Sequence, residues 1–110
     1  NGQTTIVLEK QLKVAFENLE SDNISSIVIA YEPVWAIGTD LIASPDVVAK
    51  AHAEIHEIMK EYGGHIAVIY GGSVTEKNVS SLSKINNVNG FLIGGASLDI
   101  EKFYDIYNQL

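Results

Sequence analysis

Ile27-Val28-Ile29-Ala30-Tyr31-Glu32-Pro33-Val34-Trp35-Ala36-Ile37-Gly38-Thr39 is the stretch on which the reading of this 110-residue chain turns. Its opening, Ile27 to Ala30, is a continuous apolar run, the pattern of a strand buried on both faces. It ends on one carboxylate, Glu32, and then on Pro33, which has no N–H and stops a ladder. Glu32 is therefore expected at the carboxyl end of a buried parallel strand, the end at which α/β proteins do their chemistry. The loop after Glu32 carries Trp35 among the small residues Ala36, Gly38 and Thr39, a composition suited to a lid.

Two later segments repeat one pattern, a short apolar run followed by paired glycines: His65 to Tyr70 with Gly71-Gly72-Ser73, and Phe91 to Ile93 with Gly94-Gly95-Ala96. Helical stripes separate them. Leu8, Leu12, Phe16 and Leu19 mark a helix capped by Thr4 or Thr5 and running to about Leu19. Ser44-Pro45-Asp46 opens a second helix, with Val48, Ala51, Ile55, Ile58, Met59 and Tyr62 inward and a stop at Gly63-Gly64. A third is expected near 75–83, capped by Thr75. A fourth, near 99–109, is expected to bury Ile100, Phe103, Tyr107 and Leu110. Ser21-Asp22-Asn23 and Asn86 to Gly90 are breaks. A helix followed by three strand–helix units predicts a parallel sheet with right-handed crossovers.

Composition excludes several classes. The chain has 14 acidic residues against 7 basic ones, a net charge of −7, and no arginine, which argues against nucleic acid. It has no cysteine, hence no disulfide or thiolate site. No apolar run is long enough for a membrane span, and Asn1-Gly2-Gln3 opens no signal peptide, so a soluble cytoplasmic protein is expected. His52 and His56 stand four apart, but Glu54 lies about 200° round the helix from His52. A solvated helix face is preferred there over a metal site; no metal and no cofactor is expected. His65 begins its strand, at the end opposite the chemistry.

On the residues alone, Glu32 is most plainly an ion-pair partner of a lysine or a helix cap. The loop Pro33 to Ala43 is on the same footing a long strand-to-helix connection. The glycine turns let backbone N–H groups approach an anion.

Taken together, Tyr31-Glu32-Pro33-Val34-Trp35-Ala36-Ile37-Gly38-Thr39, Tyr70-Gly71-Gly72-Ser73-Val74 and Gly90 to Leu98 closely resemble the catalytic strand with its mobile loop and the two phosphate-binding turns of the triosephosphate isomerase family, in that family's order and spacing. The resemblance implies the C-terminal part of a (βα)8 barrel: residues 1–110 as one partial domain, with three parallel strands (about 26–31, 65–70 and 90–93) and four helices. Everything before the barrel's fifth helix would be missing. It implies an isomerase of glycolysis and gluconeogenesis that interconverts dihydroxyacetone phosphate and glyceraldehyde 3-phosphate through an enediolate. Glu32 would be the base, and both tuned acid–base residues and loop closure are general teaching cases for this family. Gly38, Ser73, Gly94 and Gly95 would bind the substrate phosphate. Pro33, Val34, Trp35, Ala36, Ile37, Gly38 and Thr39 would form the lid, with Tyr70 its anchor. The partners implied are the triose phosphate, the missing N-terminal part and a second copy in a homodimer, with no nucleic acid and no membrane.

The chain departs from the family at the lid's far end, where Asp40-Leu41-Ile42-Ala43 stands for the usual Gly-Lys-Thr-Ala; Asp40 is expected to weaken phosphate binding. The family's lysine after its first strand and histidine after its fourth have no counterpart here. The isolated chain is accordingly expected to be inactive. Two alternatives are a non-catalytic, self-assembling half-barrel and a phosphate-binding βα module of another barrel enzyme.

Overall fold

The computed structural model describes residues 2–38, 41–63 and 65–110. The lid residues Thr39 and Asp40, and Gly64 at the expected helix stop, lie outside them. One parallel sheet, ordered β1-β2-β3, is made by β1 (Val28–Tyr31), β2 (Ala67–Tyr70) and β3 (Gly90–Phe91). Around it lie α1 (Gly2–Phe16), α2 (Ser21–Ile24), α3 (Pro45–Lys60), α4 (Val79–Leu82) and α5 (Ile100–Asn108). This is the α/β pattern expected of part of a (βα)8 barrel.

The elements form for local reasons. Ser44 caps α3, its hydroxyl accepting from Val47 N–H at 3.4 Å, and Pro45 occupies the first turn. Asp99 caps α5 through Oδ1, which accepts from the N–H groups of Glu101 and Lys102 at 3.0 and 3.1 Å. The helical stripe of α1, Leu8, Leu12 and Phe16, packs with Ile55 and Met59 of α3 and with Val68 of β2. A second cluster joins Val48, Tyr70, Val74, Val79, Leu82 and Ile106 beneath the other units. Each such buried side chain contributes about 1.5–3 kcal/mol relative to exposure.

Several boundaries differ from the expectation. α1 begins at Gly2 and stops at Phe16, so Thr4 and Thr5 are interior rather than caps, and Leu19 lies beyond it. Residues Ser21–Ile24 do not merely break the chain but form a short helix of their own. α4 is only Val79–Leu82; Thr75 stands in the preceding turn, where its hydroxyl accepts from Lys77 N–H at 3.2 Å. The strands are shorter because the ladder exists only where a neighbour lies opposite. Val28 pairs Ala67 and Tyr31 pairs Tyr70, while β3 meets β2 only at Ile69 and Tyr70. Beyond that, Asn89 takes over: its Oδ1 accepts from Val68 N–H at 2.8 Å, and its own N–H donates to Val68 C=O at 2.9 Å.

Burial departs further. The apolar run of β1 predicts burial on both faces, yet Val28 is 58% exposed. On α5, Ile100, Phe103 and Tyr107 are exposed, as is Leu110 beyond its end, and Ile106 is the buried residue. Both regions present apolar side chains with no described surface to bury against. The radius of gyration, 14.5 Å, exceeds the roughly 13 Å of a compact chain this long.

Asn89→Ala is expected to destabilise the fold by about 1–3 kcal/mol, because it strips Val68 of its acceptor. Amide exchange at Val68 should quicken. Asn86→Ala, in the same surface turn, should stay within about 0.5 kcal/mol. Denaturant unfolding with exchange measured by NMR checks both.

Candidate active site

The parallel register aligns Tyr31 with Tyr70 and Tyr70 with Phe91, so the three strands end level. The loops leaving the three strands therefore emerge on one side of the molecule. Gly71 N–H donates to Tyr31 C=O at 2.9 Å, and Leu92 N–H to Tyr70 C=O at 2.9 Å. These two rungs carry the ladder just past the strands and into the glycine turns.

Gly38, Ser73, Gly94 and Gly95 line one cavity of about 450 Å³, with Gly71 and Gly72 beside them. The four residues expected to hold a phosphate thus share a common space. Their local scaffolds differ. Gly95–Leu98 is a 3-10 turn, whose first N–H groups have no intrahelical acceptor. Gly38 has φ +62°, the left-handed conformation that disfavours a side chain. The segment after Ser73 is not a helix start. It is an irregular turn held by Asn78, whose Nδ2 donates to Ser73 C=O and whose Oδ1 accepts from Thr75 N–H, each at 2.8 Å.

Glu32 is exposed and stands directly after β1. Its carboxylate leans on Gly71: a Cβ placed there would lie 2.7 Å from Glu32 Cγ and 3.0 Å from Oε1. Any side chain at 71 would push the carboxylate away. Glu32 itself opens into a neighbouring groove of about 600 Å³ between α1 and β1, where Pro33, Val34 and Trp35 also lie. Among the described residues that groove contains no histidine and no lysine. Of the lid residues, Val34–Ala36 form a 3-10 turn; Pro33 and Ala36 are buried, Val34 and Ile37 are exposed, and Trp35 is 46% exposed.

Tyr70 is wholly buried, with its hydroxyl unpartnered among the described residues. Gly72 makes room for that hydroxyl, since a Cβ there would collide with it. Burial first, then the neighbouring Tyr31, pushes the Tyr70 phenol above its ordinary pKa, so it remains a neutral O–H donor.

A family model described as triosephosphate isomerase matches residues 1–110. A triosephosphate isomerase of Lawsonia intracellularis is 46% identical over 109 residues, covering 96% of this chain and 43% of the relative. One of Bdellovibrio bacteriovorus is 44% identical over 107 residues (96% and 44%), and one of Mycoplasmopsis agalactiae 42% over 102 (93% and 37%). The chain belongs to the triosephosphate isomerase family. It spans less than half the length of these curated relatives.

Against that family background, three features have no sign in the sequence pattern or run against it. Asn78 and Gly71 make contacts that only the folded turn reveals. The third is His52, expected on a solvated helix face and found fully buried. Its Nδ1–H donates to Asn87 C=O at 3.1 Å, and His56 Nε2–H donates to the same oxygen at 3.0 Å. Nε2 of His52 is left without a described partner, between the rings of Tyr31 and Tyr70. The stripe spacing places residue 52 next to Ala51 and Ile55, and that is the available signal. His56 and His65 line a different cavity, with Ala67 at the start of β2, and so lie away from Glu32. Among the described residues no three potential ligands cluster to hold a metal.

Burial, against the raising effect of the Asn87 carbonyl, lowers the His52 pKa below 6.5, and His56 lowers it further. The unfolded chain therefore binds the proton first. The stability that neutral His52 contributes is complete above about pH 6.5 and falls as pH drops toward its depressed folded value. Unfolding midpoints measured across this window should rise with pH, with a shallower rise in His52→Gln.

Proposed function

We propose that this chain is the C-terminal portion of a triosephosphate isomerase and carries its base, lid and phosphate cradle. The observation that supports the reading best is the level ending of the strands, with Glu32 against Gly71 and Gly38, Ser73, Gly94 and Gly95 around the adjoining cavity.

In this reading the substrate phosphate sits over the glycine turns, taking backbone N–H bonds worth roughly 1.5–3 kcal/mol each when the acceptor is charged. Glu32 removes a proton from the carbon beside the carbonyl. The electron pair moves into the enediolate, whose hydroxyl proton passes from one oxygen to the other, and the carbon-bound proton returns to the neighbouring carbon as the first oxygen becomes the new carbonyl. Atoms and electrons balance within the substrate, so no cofactor enters. Pro33 to Thr39 close over the site and exclude water, with the Tyr70 hydroxyl, buried and unpartnered, available to hold the closed loop. The same reading implies a homodimeric, cytoplasmic enzyme of glycolysis and gluconeogenesis; no helix among the described residues is long and apolar enough to cross a membrane.

The isolated chain lacks part of this machinery. Enediolate formation needs an electrophile for the carbonyl and a cation for the oxyanion as well as a base. His52 is buried under two tyrosines, and the groove beside Glu32 holds neither histidine nor lysine among the described residues. Exposed Val28 on the edge strand and the apolar side chains of α5 favour self-association instead.

In the complete polypeptide, Glu32→Gln is expected to lower kcat by at least about 10²-fold while inhibition by inorganic phosphate hardly changes. Near-normal turnover would sink the base assignment. The 110-residue chain alone should give no turnover in a coupled triose phosphate assay, and an associated species in analytical ultracentrifugation. Activity proportional to its concentration would contradict the proposed division of the site.

A further inference from the structure

The candidate anion cavity has a charged rim as well as a backbone floor. Lys77 and Lys102 line it, and so do Glu76 and Asp99. These four side chains are not equivalent. Asp99 Oδ1 is engaged by the N–H groups of Glu101 and Lys102, which ties its charge to the start of α5. That same cap fixes the first turn of α5, and with it the base of Lys102, at the cavity. Lys77 is carried by the turn ahead of α4, where its N–H donates to Thr75 Oγ1. Neither ammonium makes an ion pair with a described residue, whereas Lys60 pairs with Glu57. Two uncommitted cations from two successive strand–helix units thus flank one cavity. They do so in a chain with no arginine and a net charge of −7, whose overall field repels anions.

We propose that Lys77 and Lys102 act together as the charge-selecting element of the phosphate site, favouring phosphate dianions over singly charged analogues of the same shape. The inference takes its site from the isomerase reading but needs only an anion of this class. Backbone N–H groups strengthen with the charge on the oxygen they touch but act only at hydrogen-bond range. Ammoniums on flexible stems act over about 8–10 Å and respond in proportion to ligand charge. A dianion gains about twice what a monoanion gains from them by Coulomb's law. Glu76 opposes the pair, and so does Asp99, less freely because its carboxylate is held by the N–H groups at the start of α5; the preference is the balance of four side chains.

The test uses the complete polypeptide with glycerol phosphate and its singly charged sulfate ester as probes, followed by titration calorimetry and by competition in the isomerase assay. Lys77→Gln and Lys102→Gln should each weaken glycerol phosphate about two- to fivefold at low salt, with additive loss in the double variant. The sulfate ester should lose less. The difference should shrink in about 0.5 M salt, where charges are screened within a few ångströms. Lys→Arg at either position should retain the preference, and Glu76→Gln should strengthen it. Isomerase kcat should hold while kcat/KM falls. Lys84→Gln, outside the cavity, should match the unsubstituted protein. A double variant with undiminished affinity at low salt overturns the proposal, as does equal, salt-insensitive loss for both probes, the mark of a merely structural role. Charge-selective binding without isomerase activity would discard the isomerase reading and keep this one; activity that ignores both lysines would do the reverse. Binding of neither probe would discard both.

Discussion

The hydrogen bond from Gly71 N–H to Tyr31 C=O, 2.9 Å long, is the contact on which the candidate site depends. It extends the β1–β2 ladder one residue beyond the strands and seats Glu32 beside a residue with no side chain. Its counterpart from Leu92 to Tyr70 does the same one strand further on. Parallel pairing makes this possible, because slanted, evenly spaced rungs bring like ends together. An antiparallel arrangement would send Glu32 and the Gly71 turn to opposite sides. Parallel pairing in turn requires long crossovers, and α3 is the crossover that the sequence marks most firmly, with Ser44, Pro45 and Asp46 at its start.

The second crossover is held differently. α4 has only four residues, too few to organise its own ends. Side-chain amides replace the missing helical turns. The Asn78 side chain bridges Ser73 and Thr75, and that of Asn89 stands in for a strand neighbour of Val68; the backbone carbonyl of Asn87 is held in addition by both His52 and His56. Each of these groups would otherwise leave a backbone donor or acceptor unmatched, at about 1–3 kcal/mol where buried. The cavity wall at Ser73 is thus as rigid as Asn78 makes it. A substitution at Asn78 is expected to reach the site without touching a ligand.

The sequence discloses whatever repeats or punctuates. The stripes Leu8-Leu12-Phe16 and Val48-Ala51-Ile55-Met59, the cap at Ser44, and the apolar runs before Pro33, Gly71 and Gly94 each leave a periodic or positional mark. These suffice for a parallel α/β fold; the grouping of Gly38, Ser73, Gly94 and Gly95, which line one cavity, follows instead from the resemblance to the family. Side-chain-to-backbone bonds leave no such mark. Nothing in Asn78 or Asn89 distinguishes it from Asn86 before the chain is folded. His52 defeats the sequence expectation because its polarity argues for solvent while its position argues for the core; its neighbours in the stripe are buried, and one carbonyl suffices to admit an imidazole. Ile100 and Tyr107 defeat it for the converse reason. An apolar stripe reports that a surface is to be covered, but the covering surface need not be in the same 110 residues.

That mismatch has a direction, and it divides the candidate site unequally. The cavity around Ser73 and Gly94 is walled by segments from all three strand–helix units, each fastened to the next by backbone or amide hydrogen bonds. Among the described residues, the groove at Glu32 is walled by α1, β1 with the segments flanking it, and Ile55 of α3 alone, and β1 is an edge strand with an exposed Val28. In the proposed reading, anion recognition by backbone donors needs the shape of a few turns, and the turns that would give it lie within this chain. Proton transfer needs a carboxylate aimed to within about 1 Å at a substrate carbon, which requires walls on every side. Gly71 supplies one such wall by being close and having no side chain; the outer edge of β1 supplies none. The portion of the site proposed to bind and the portion proposed to react therefore differ in how much structure they need. A chain of this extent can be expected to retain the first long before it achieves the second.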